Sequence, residues 1–488
     1  MKLNELLRGV DIKAASSFPL GQDIEIKGIS SDSKTSGKDY LFIAVSGTTF
    51  DGHRFANEAA EKGAVAVVLE KDTSLSDGVA KIFVRDSRSA VPIVANNFFG
   101  RPVDKLTCVG ITGTNGKTTI SYLMDSIASA AGHKAGVIGT ISYRIGERVI
   151  PATNTTPGPV ELYSFMDEMV RNNSDYLVME VSSHALDQNR VGGIDFSAAI
   201  FTNLTGDHLD YHKTFEGYFK AKARLFEGLN DRAYAVINID DEWGKKLRGI
   251  SKGRVVTYGT GLVADYLASD IGLSLDGTKF VINYPKGSVE INSKLIGMHN
   301  VYNMTAAAAC GMSLGFSSAE VKRGLESLKF VPGRLEPVDC GQPFKIFVDY
   351  AHTDDALYNV LSALKPLIDN KVIVVFGCGG DRDRTKRPRM GKVASEMADL
   401  AIITSDNPRS EDPKAITDEI AAGISKKNYK VILDRMRAIE EAIAMAKEGD
   451  CVLIAGKGHE AYQILKNTTV AFDDREAAKK ICMTLKIS

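Results

Sequence analysis

Short apolar runs and amphipathic stretches alternate along this chain. In its first hundred or so residues, YLFIAV from Tyr40, AVAVVLE from Ala64 and KIFVRD from Lys81 are separated by helical stretches such as HRFANEAAEKG. Brief continuous apolar runs between turns suit strands covered on both faces, so this segment predicts one α/β unit. It ends near Gly100-Arg101-Pro102, and KLTCVGIT then opens a new buried strand.

From there the period switches repeatedly: a strand, a glycine-rich loop, the amphipathic helix ISYLMDSIASAAG, then AGVIGTI, DYLVMEV and AAIFTNL. That alternation predicts a mainly parallel sheet under helices, with ligands at the carboxyl ends of its strands. GLSLDGTKFVINYPKGSVEINSKL alternates at period two and predicts a hairpin annex, and Ser317 with Glu320 has capping-box spacing. After the VPGR turn, FKIFVDY, KVIVVFG, LAIITSD, YKVILD and CVLIAG alternate with helices such as ALYNVLSALKPLI and RAIEEAIAMAKEG, as in a Rossmann-like doubly wound sheet. The fold expected is therefore α/β in three domains, at residues 1–102, 103–333 and 334–488. The third lacks GxGxxG, which speaks against an oxidoreductase.

Composition narrows the function classes. With 44% hydrophobic and 25% charged residues, the chain is an ordinary water-soluble globular protein. A net charge of -1 gives no basic field for nucleic acid, so any anion must be held locally. No apolar run is long enough for a membrane span and the N-terminal stretch lacks signal-peptide features, so a cytoplasmic protein, and a monomer, is expected. Cys108, Cys310, Cys340, Cys378, Cys451 and Cys482 form no CxxC pair and suggest reduced core thiols.

The strongest chemical signal is GITGTNGKTT, Gly110 to Thr119, between a buried strand and a helix. Backbone N–H groups of such a turn and the helix N-terminus suit nucleotide phosphates, so Gly113, Thr114, Asn115, Gly116, Lys117, Thr118 and Thr119 are candidate ATP contacts. Lys117 would meet the β and γ phosphates and Thr118 would face Mg²⁺. Ile111 stands where the strict GxxxxGK[ST] spacing has its first glycine. Glu180, in MEVSSH, and the pair Asp207 and His208, in TNLTGDHLDYH, fall at two later strand tips, where a carboxylate can hold Mg²⁺.

TGTNGKTT, EVSSH, NLTGDHLDYH, GMHNVYNMTAA, VPGRLE and DYAHT occur in this order, and together they resemble the ATP-dependent Mur ligases over essentially the whole chain. SSDSK followed by LFIAVSGTTFDGH resembles that family's UDP-sugar-binding domain. The resemblance implies a P-loop-type ATPase domain in the middle and an amino-acid-binding domain at the end. It implies that ATP phosphorylates the terminal carboxylate of UDP-N-acetylmuramoyl-L-alanyl-D-glutamate and that an amine then displaces phosphate, in the synthesis of peptidoglycan precursors.

Carried over residue by residue, Lys222 in TFEGYFKAKARLFEGL is the lysine that the family carbamylates, and His208 is a ligand of the second of two Mg²⁺ ions. Lys117, Glu180, His208 and Lys222 form the catalytic set, with Thr118 added for the metal. Asn303 lies near adenine, Arg334 at the phosphates and Asp349 at the ribose. Ser33 and Thr48 resemble uracil-domain contacts, and Thr155, Thr156, Ser182, Gln188 and Arg190 contacts to the sugar and dipeptide. His299 and His352 fall in matching motifs without an assigned role, and Asp354 stands where the family commonly has Pro.

SDNPRSEDP decides the amine. Asp406-Asn407-Pro408-Arg409 resembles the motif of members that add meso-diaminopimelate rather than L-lysine. The two amines differ by one distal carboxylate, which a guanidinium grips by a planar two-point contact, so Arg409 is the expected selector. Arg382, Gly456 and Glu460 complete the expected amine site. Asp412 as helix cap with Pro413 in the first turn is an independent local reading of the same stretch. The alternatives are a lysine ligase, a folylpolyglutamate-type ligase and a nucleotide-dependent switch.

Overall fold

The structure, a computed structural model, describes residues 1–16, 24–47, 50–206, 209–261, 263–466 and 468–485. It is an α/β protein of three domains, and each has its own sheet. The first sheet orders its strands as Ile12–Ser16, Ala80–Val84, Ala64–Leu69, Tyr40–Ile43 and Gly28–Ser30, all parallel except Ile12–Ser16. Its inward side chains, among them Leu41, Val68 and Ile82, are fully buried under the helix Ser87–Phe98.

The central sheet has eleven strands among the described residues. Its middle is parallel, in the order Arg254–Gly259, Tyr234–Asn238, Phe196–Phe201, Thr107–Thr112, Tyr176–Glu180, Ala135–Ile138. The antiparallel hairpin Ser142–Ile145/Arg148–Pro151 extends one end. At the other end the stretch expected as an annex is a three-stranded meander, Tyr266–Ser274, Gly277–Tyr284 and Gly287–Ser293. It joins the main sheet because Tyr258 and Gly259 pair with Tyr266 and Leu267. Thr107–Thr112 lies between strands that the chain lays down on either side of it, so the loop after it opens into a crevice at a topological switch point.

The loop feeds the helix Lys117–Ala130, which packs on Ser318–Ser327. The approach is close enough that a Cβ on Gly324 would stand 2.5 Å from the Cα of Ile127. The third sheet orders Glu336–Pro337, Lys345–Asp349, Cys451–Ala455, Val372–Phe376, Leu400–Ile403 and Tyr429–Val431, all parallel except the first. Cys451–Ala455, the last of these in the chain, fills the gap between Lys345–Asp349 and Val372–Phe376, the doubly wound arrangement. No helix among the described residues is long and apolar enough to cross a membrane.

Candidate functional site

The phosphate-type loop depends on two glycines in left-handed backbone. Gly113 has φ 142° and Gly116 φ 93°; a side chain at Gly113 would run into the Thr202 hydroxyl, and one at Gly116 into Oδ1 of Asn303. The loop is clamped from the neighbouring strand end. Asn203 accepts from the N–H of Thr114 (2.8 Å) and of Asn115 (2.9 Å), and Thr202 Oγ1 donates to the Asn115 carbonyl at 2.6 Å.

Lys117 Nζ donates to the carbonyls of Gly113 (2.9 Å) and Thr114 (2.8 Å). Lys222, on the helix Phe215–Glu227, is 1% exposed and donates to the same Gly113 carbonyl at 2.8 Å, while Lys220 is exposed. The helix therefore turns one lysine into the loop and another to solvent. Arg334 crosses from the third domain to donate to Thr118 Oγ1 at 3.3 Å.

Glu180 ends its strand beside Ile111 and is 1% exposed. Its two oxygens accept from the N–H (2.9 Å) and the hydroxyl (3.0 Å) of Thr140, whose hydroxyl lies 3.0 Å from that of Thr155. Thr156 donates to the Glu180 carbonyl at 2.8 Å and accepts from the N–H of Ser182, which caps the short helix Ser183–Asp187. Arg190 donates to the Thr156 carbonyl at 2.8 Å and to Gln188 Oε1 with two nitrogens. Thr155, Thr156, Ser182, Gln188 and Arg190 are thus linked to the Glu180 strand end. Burial pulls the Arg190 guanidinium below its ordinary range.

A cleft of about 1400 Å³ separates the central hairpin from the third domain, and Thr155, Arg382, Asp406, Asn407, Arg409, Gly456 and Glu460 are among its lining. Arg409 has φ 52°, a left-handed backbone held by its N–H on the Ile464 carbonyl at 3.2 Å. This turns the guanidinium onto the carbonyl of Gly380, 2.9 Å away. Asn407 donates to Glu460 Oε2 at 2.9 Å, and Lys457, which the sequence reading missed, lies 3.3 Å from both Asn407 Oδ1 and Glu460 Oε2. Gly456, at φ 112°, leaves room for Asp406 Oδ2, which would stand 2.8 Å from a Cβ there. His459 also lines the cleft, and burial together with Arg334 lowers its pKa to about 4, so it is neutral near pH 7.

Other expected residues stand apart or take up internal partners. Asp349 is buried, with its oxygens on the N–H groups of Leu335 (2.7 Å) and Ala351 (2.8 Å), and burial raises its pKa. Ser33 is buried on the turn Ser33–Thr35 of the first domain. Pro408 joins Asn407 to Arg409, and its carbonyl accepts from the N–H of Glu411. Thr119 is buried in the helix after the loop. His299 is half-buried, and desolvation lowers its pKa to about 4, while His352 is exposed with Nδ1 2.8 Å from the Tyr350 carbonyl. Thr48, Asp207 and His208 lie outside the described residues.

Family models match three successive stretches: the Mur ligase family catalytic domain at residues 25–104, the Mur ligase middle domain at 111–311 and the Mur ligase glutamate ligase domain at 333–458. A protein of Solibacter usitatus is 46% identical over 485 residues, covering 99% of this chain and 98% of its own. The chain belongs to the Mur ligase family. A Bacillus cereus relative of this Mur ligase is 46% identical over 488 residues, covering 98% of each. Both relatives are named UDP-N-acetylmuramoyl-L-alanyl-D-glutamate--2,6-diaminopimelate ligase. A solved structure of that same name is 34% identical, covers 100% of both chains and superposes with a TM-score of 0.73.

Proposed function

We propose that this Mur ligase is the cytoplasmic enzyme that joins meso-diaminopimelate to UDP-N-acetylmuramoyl-L-alanyl-D-glutamate at the expense of ATP, in the synthesis of peptidoglycan precursors. The observation that carries the choice of amine is Arg409, whose strained backbone and Gly380 contact turn its guanidinium into a cleft that also holds Arg382 and the carboxylates Asp406 and Glu460. An amino acid with two ammonium groups and two carboxylates complements that lining, whereas lysine leaves one guanidinium without a partner. The three domains expected above, 1–102, 103–333 and 334–488, divide the work into UDP-sugar, nucleotide and amine binding.

The loop Gly113–Thr119 takes the ATP phosphates. Lys117 exchanges its two loop carbonyls for phosphate oxygens, Arg334 adds a second cation from the opposite domain, and Asn303 and Asp349 lie toward the nucleoside. The donors near the loop suit Mg²⁺: the Glu180 carboxylate, at the end of its strand, and the Thr118 hydroxyl, in the first turn of the helix Lys117–Ala130, are hard oxygens. Mg²⁺ ordinarily takes few protein oxygens and completes its shell with substrate phosphates and water. An ammonium cannot ligate, so Lys222 would join Glu180, Thr118 and His208 only as its carbamate, N6-carboxylysine. The bound ion supplies neutralisation of phosphate charge.

The acceptor carboxylate attacks the γ phosphorus and ADP departs. The deprotonated amine then adds to the acyl carbon, and the tetrahedral intermediate expels phosphate. Thr155, Thr156, Ser182, Gln188 and Arg190 position the sugar and dipeptide, and Ser33 and Thr48 the uridine. Asn407 and Glu460 hold an ammonium group of the amine, with Asp406, Pro408 and Gly456 shaping that pocket. Ligation with lysine and meso-diaminopimelate in competition, read by mass spectrometry of the product, tests the assignment. The diaminopimelate adduct should dominate, with labelled oxygen passing from the dipeptide carboxylate into phosphate; a lysine adduct, or unlabelled phosphate, rejects it.

A further inference from the structure

Two loops that are far apart in sequence supply the arginines of the amine cleft: Gly379–Asp383 carries Arg382, and Asn407–Glu411 carries Arg409. They are fastened edge to edge. The Gly380 N–H donates to the Asn407 carbonyl at 2.9 Å, and Ser410 donates to Asp381 through its hydroxyl (2.6 Å) and its N–H (3.2 Å). Glycine is required at 380 for this approach, since a Cβ there would fall on the carbonyl oxygen of Pro408.

Beneath the seam, Glu411 takes the Asp381 N–H at 2.7 Å and a two-pronged grip from Arg387, at 2.9 and 2.8 Å. Arg387 is fully buried on the helix Lys386–Met397 and also reaches the Gly379 carbonyl at 3.3 Å. Its fork therefore touches both loops at once. Glu419 shares Arg387 from another helix at 2.8 Å and also takes Arg384, which follows the first loop and leads into the helix Lys386–Met397, but it has no part in the bonds that join the two loops.

We propose that Glu411 and Arg387 are positioning residues which set the spacing of Arg382 and Arg409, and so determine how strongly the cleft prefers an amine bearing a second carboxylate. This rests on the ligase reading. A planar two-point grip tolerates little displacement, so an arginine left free to drift with its loop loses the preference before it loses the reaction. The bridge to Arg387 depresses the Glu411 carboxyl to about 2, so the brace is charged throughout the neutral range.

Steady-state ligation by the full-length protein tests this, with ATP, UDP-muramoyl dipeptide, meso-diaminopimelate and lysine varied separately. Glu411→Gln should raise KM for meso-diaminopimelate by about tenfold and shrink its advantage over lysine, leaving kcat and the other two KM values within about twofold. Glu419→Gln weakens the hold on Arg387 and on Arg384 while leaving every bond between the two loops in place, and should move the diaminopimelate KM less than about twofold. An unaltered diaminopimelate KM in Glu411→Gln, an equal rise in both variants, or a common rise of all three KM values overturns the proposal. Should Glu411→Gln not fold, Ser410→Ala carries the test with an expected rise of about threefold, and no rise is again fatal. A wild-type protein that makes no diaminopimelate amide refutes the ligase reading itself. A competent wild type beside an unaltered Glu411→Gln refutes the brace alone.

Discussion

Arg409 concentrates the specificity argument in one side chain. Its guanidinium has the Gly380 carbonyl at 2.9 Å and the Asn407 carbonyl at 3.4 Å as fixed partners, and neither neutralises it. A substrate carboxylate does, so Arg409→Ala should lose about 2 to 5 kcal/mol of diaminopimelate binding, the range for removing one partner of a partly buried charge pair. Equilibrium binding of meso-diaminopimelate to the variant checks this; an unchanged affinity would place the selector elsewhere. The motif was readable because its chemistry sits in consecutive residues. Glu411, Arg387 and Lys457 were not, because their importance lies in contacts across roughly 24 to 50 positions, from Arg387 to Glu411 and from Asn407 to Lys457. Lys222 is intermediate: the helical pattern showed several lysines, the family resemblance picked out this one, and packing on the Gly113 carbonyl sets it apart from exposed Lys220.

Among the elements, the legible ones are those whose burial is uniform. Val372–Phe376 and Cys451–Ala455 are buried at every position, and such runs announce a covered strand. YKVILD yields only Tyr429–Val431, exposed at the sheet edge, and the rim hairpins Ser142–Ile145/Arg148–Pro151 and Tyr462–Leu465/Thr468–Ala471 left too mixed a pattern to read. The Ser317 capping box and the Asp412 cap with Pro413 both form, since cap chemistry is local. The tie between the helices Arg435–Met445 and Asp474–Leu485 is not local. Their first residues make a fully buried ion pair, two bonds of 2.7 Å, and Arg435 also donates to the Ala455 carbonyl at 3.0 Å. Asp474→Asn leaves a buried guanidinium short of charge and should cost about 3 to 5 kcal/mol, whereas replacing both partners with apolar residues should cost far less. Denaturant titration of the two variants separates these outcomes; equal losses would mean that the pair acts only through volume.

At the scale of the whole molecule, the loop proposed for the nucleotide belongs to the central domain and the arginines proposed for the amine to the third, so on that reading their relative placement is itself part of the chemistry. Two contacts set it at the loop. Arg334 reaches Thr118, and Asp355, on the helix Asp354–Leu364, accepts from Asn115 Nδ2 at 3.0 Å and from the Thr205 hydroxyl at 2.9 Å. Asp355 thus ties the third domain both to the glycine loop and to the strand end beside it. The neighbouring Asp354 serves the same helix differently, by pairing with Arg389 at 2.9 Å within its own domain. Two hydrogen bonds to a charged group contribute about 3 to 6 kcal/mol before solvent competes for them, enough to bias an equilibrium between closed and open domains but not to fix it. Asp355→Ala should therefore expand the nucleotide-free protein in X-ray scattering and raise the ATP KM by about three- to tenfold, while saturating ATP restores most of kcat. The Arg334 contact survives in that variant, so binding of phosphate can still draw the domains together. Scattering curves that superpose for wild type and variant, with an unaltered ATP KM, would show that the closed arrangement is held by the domain interface as a whole and that Asp355 follows it.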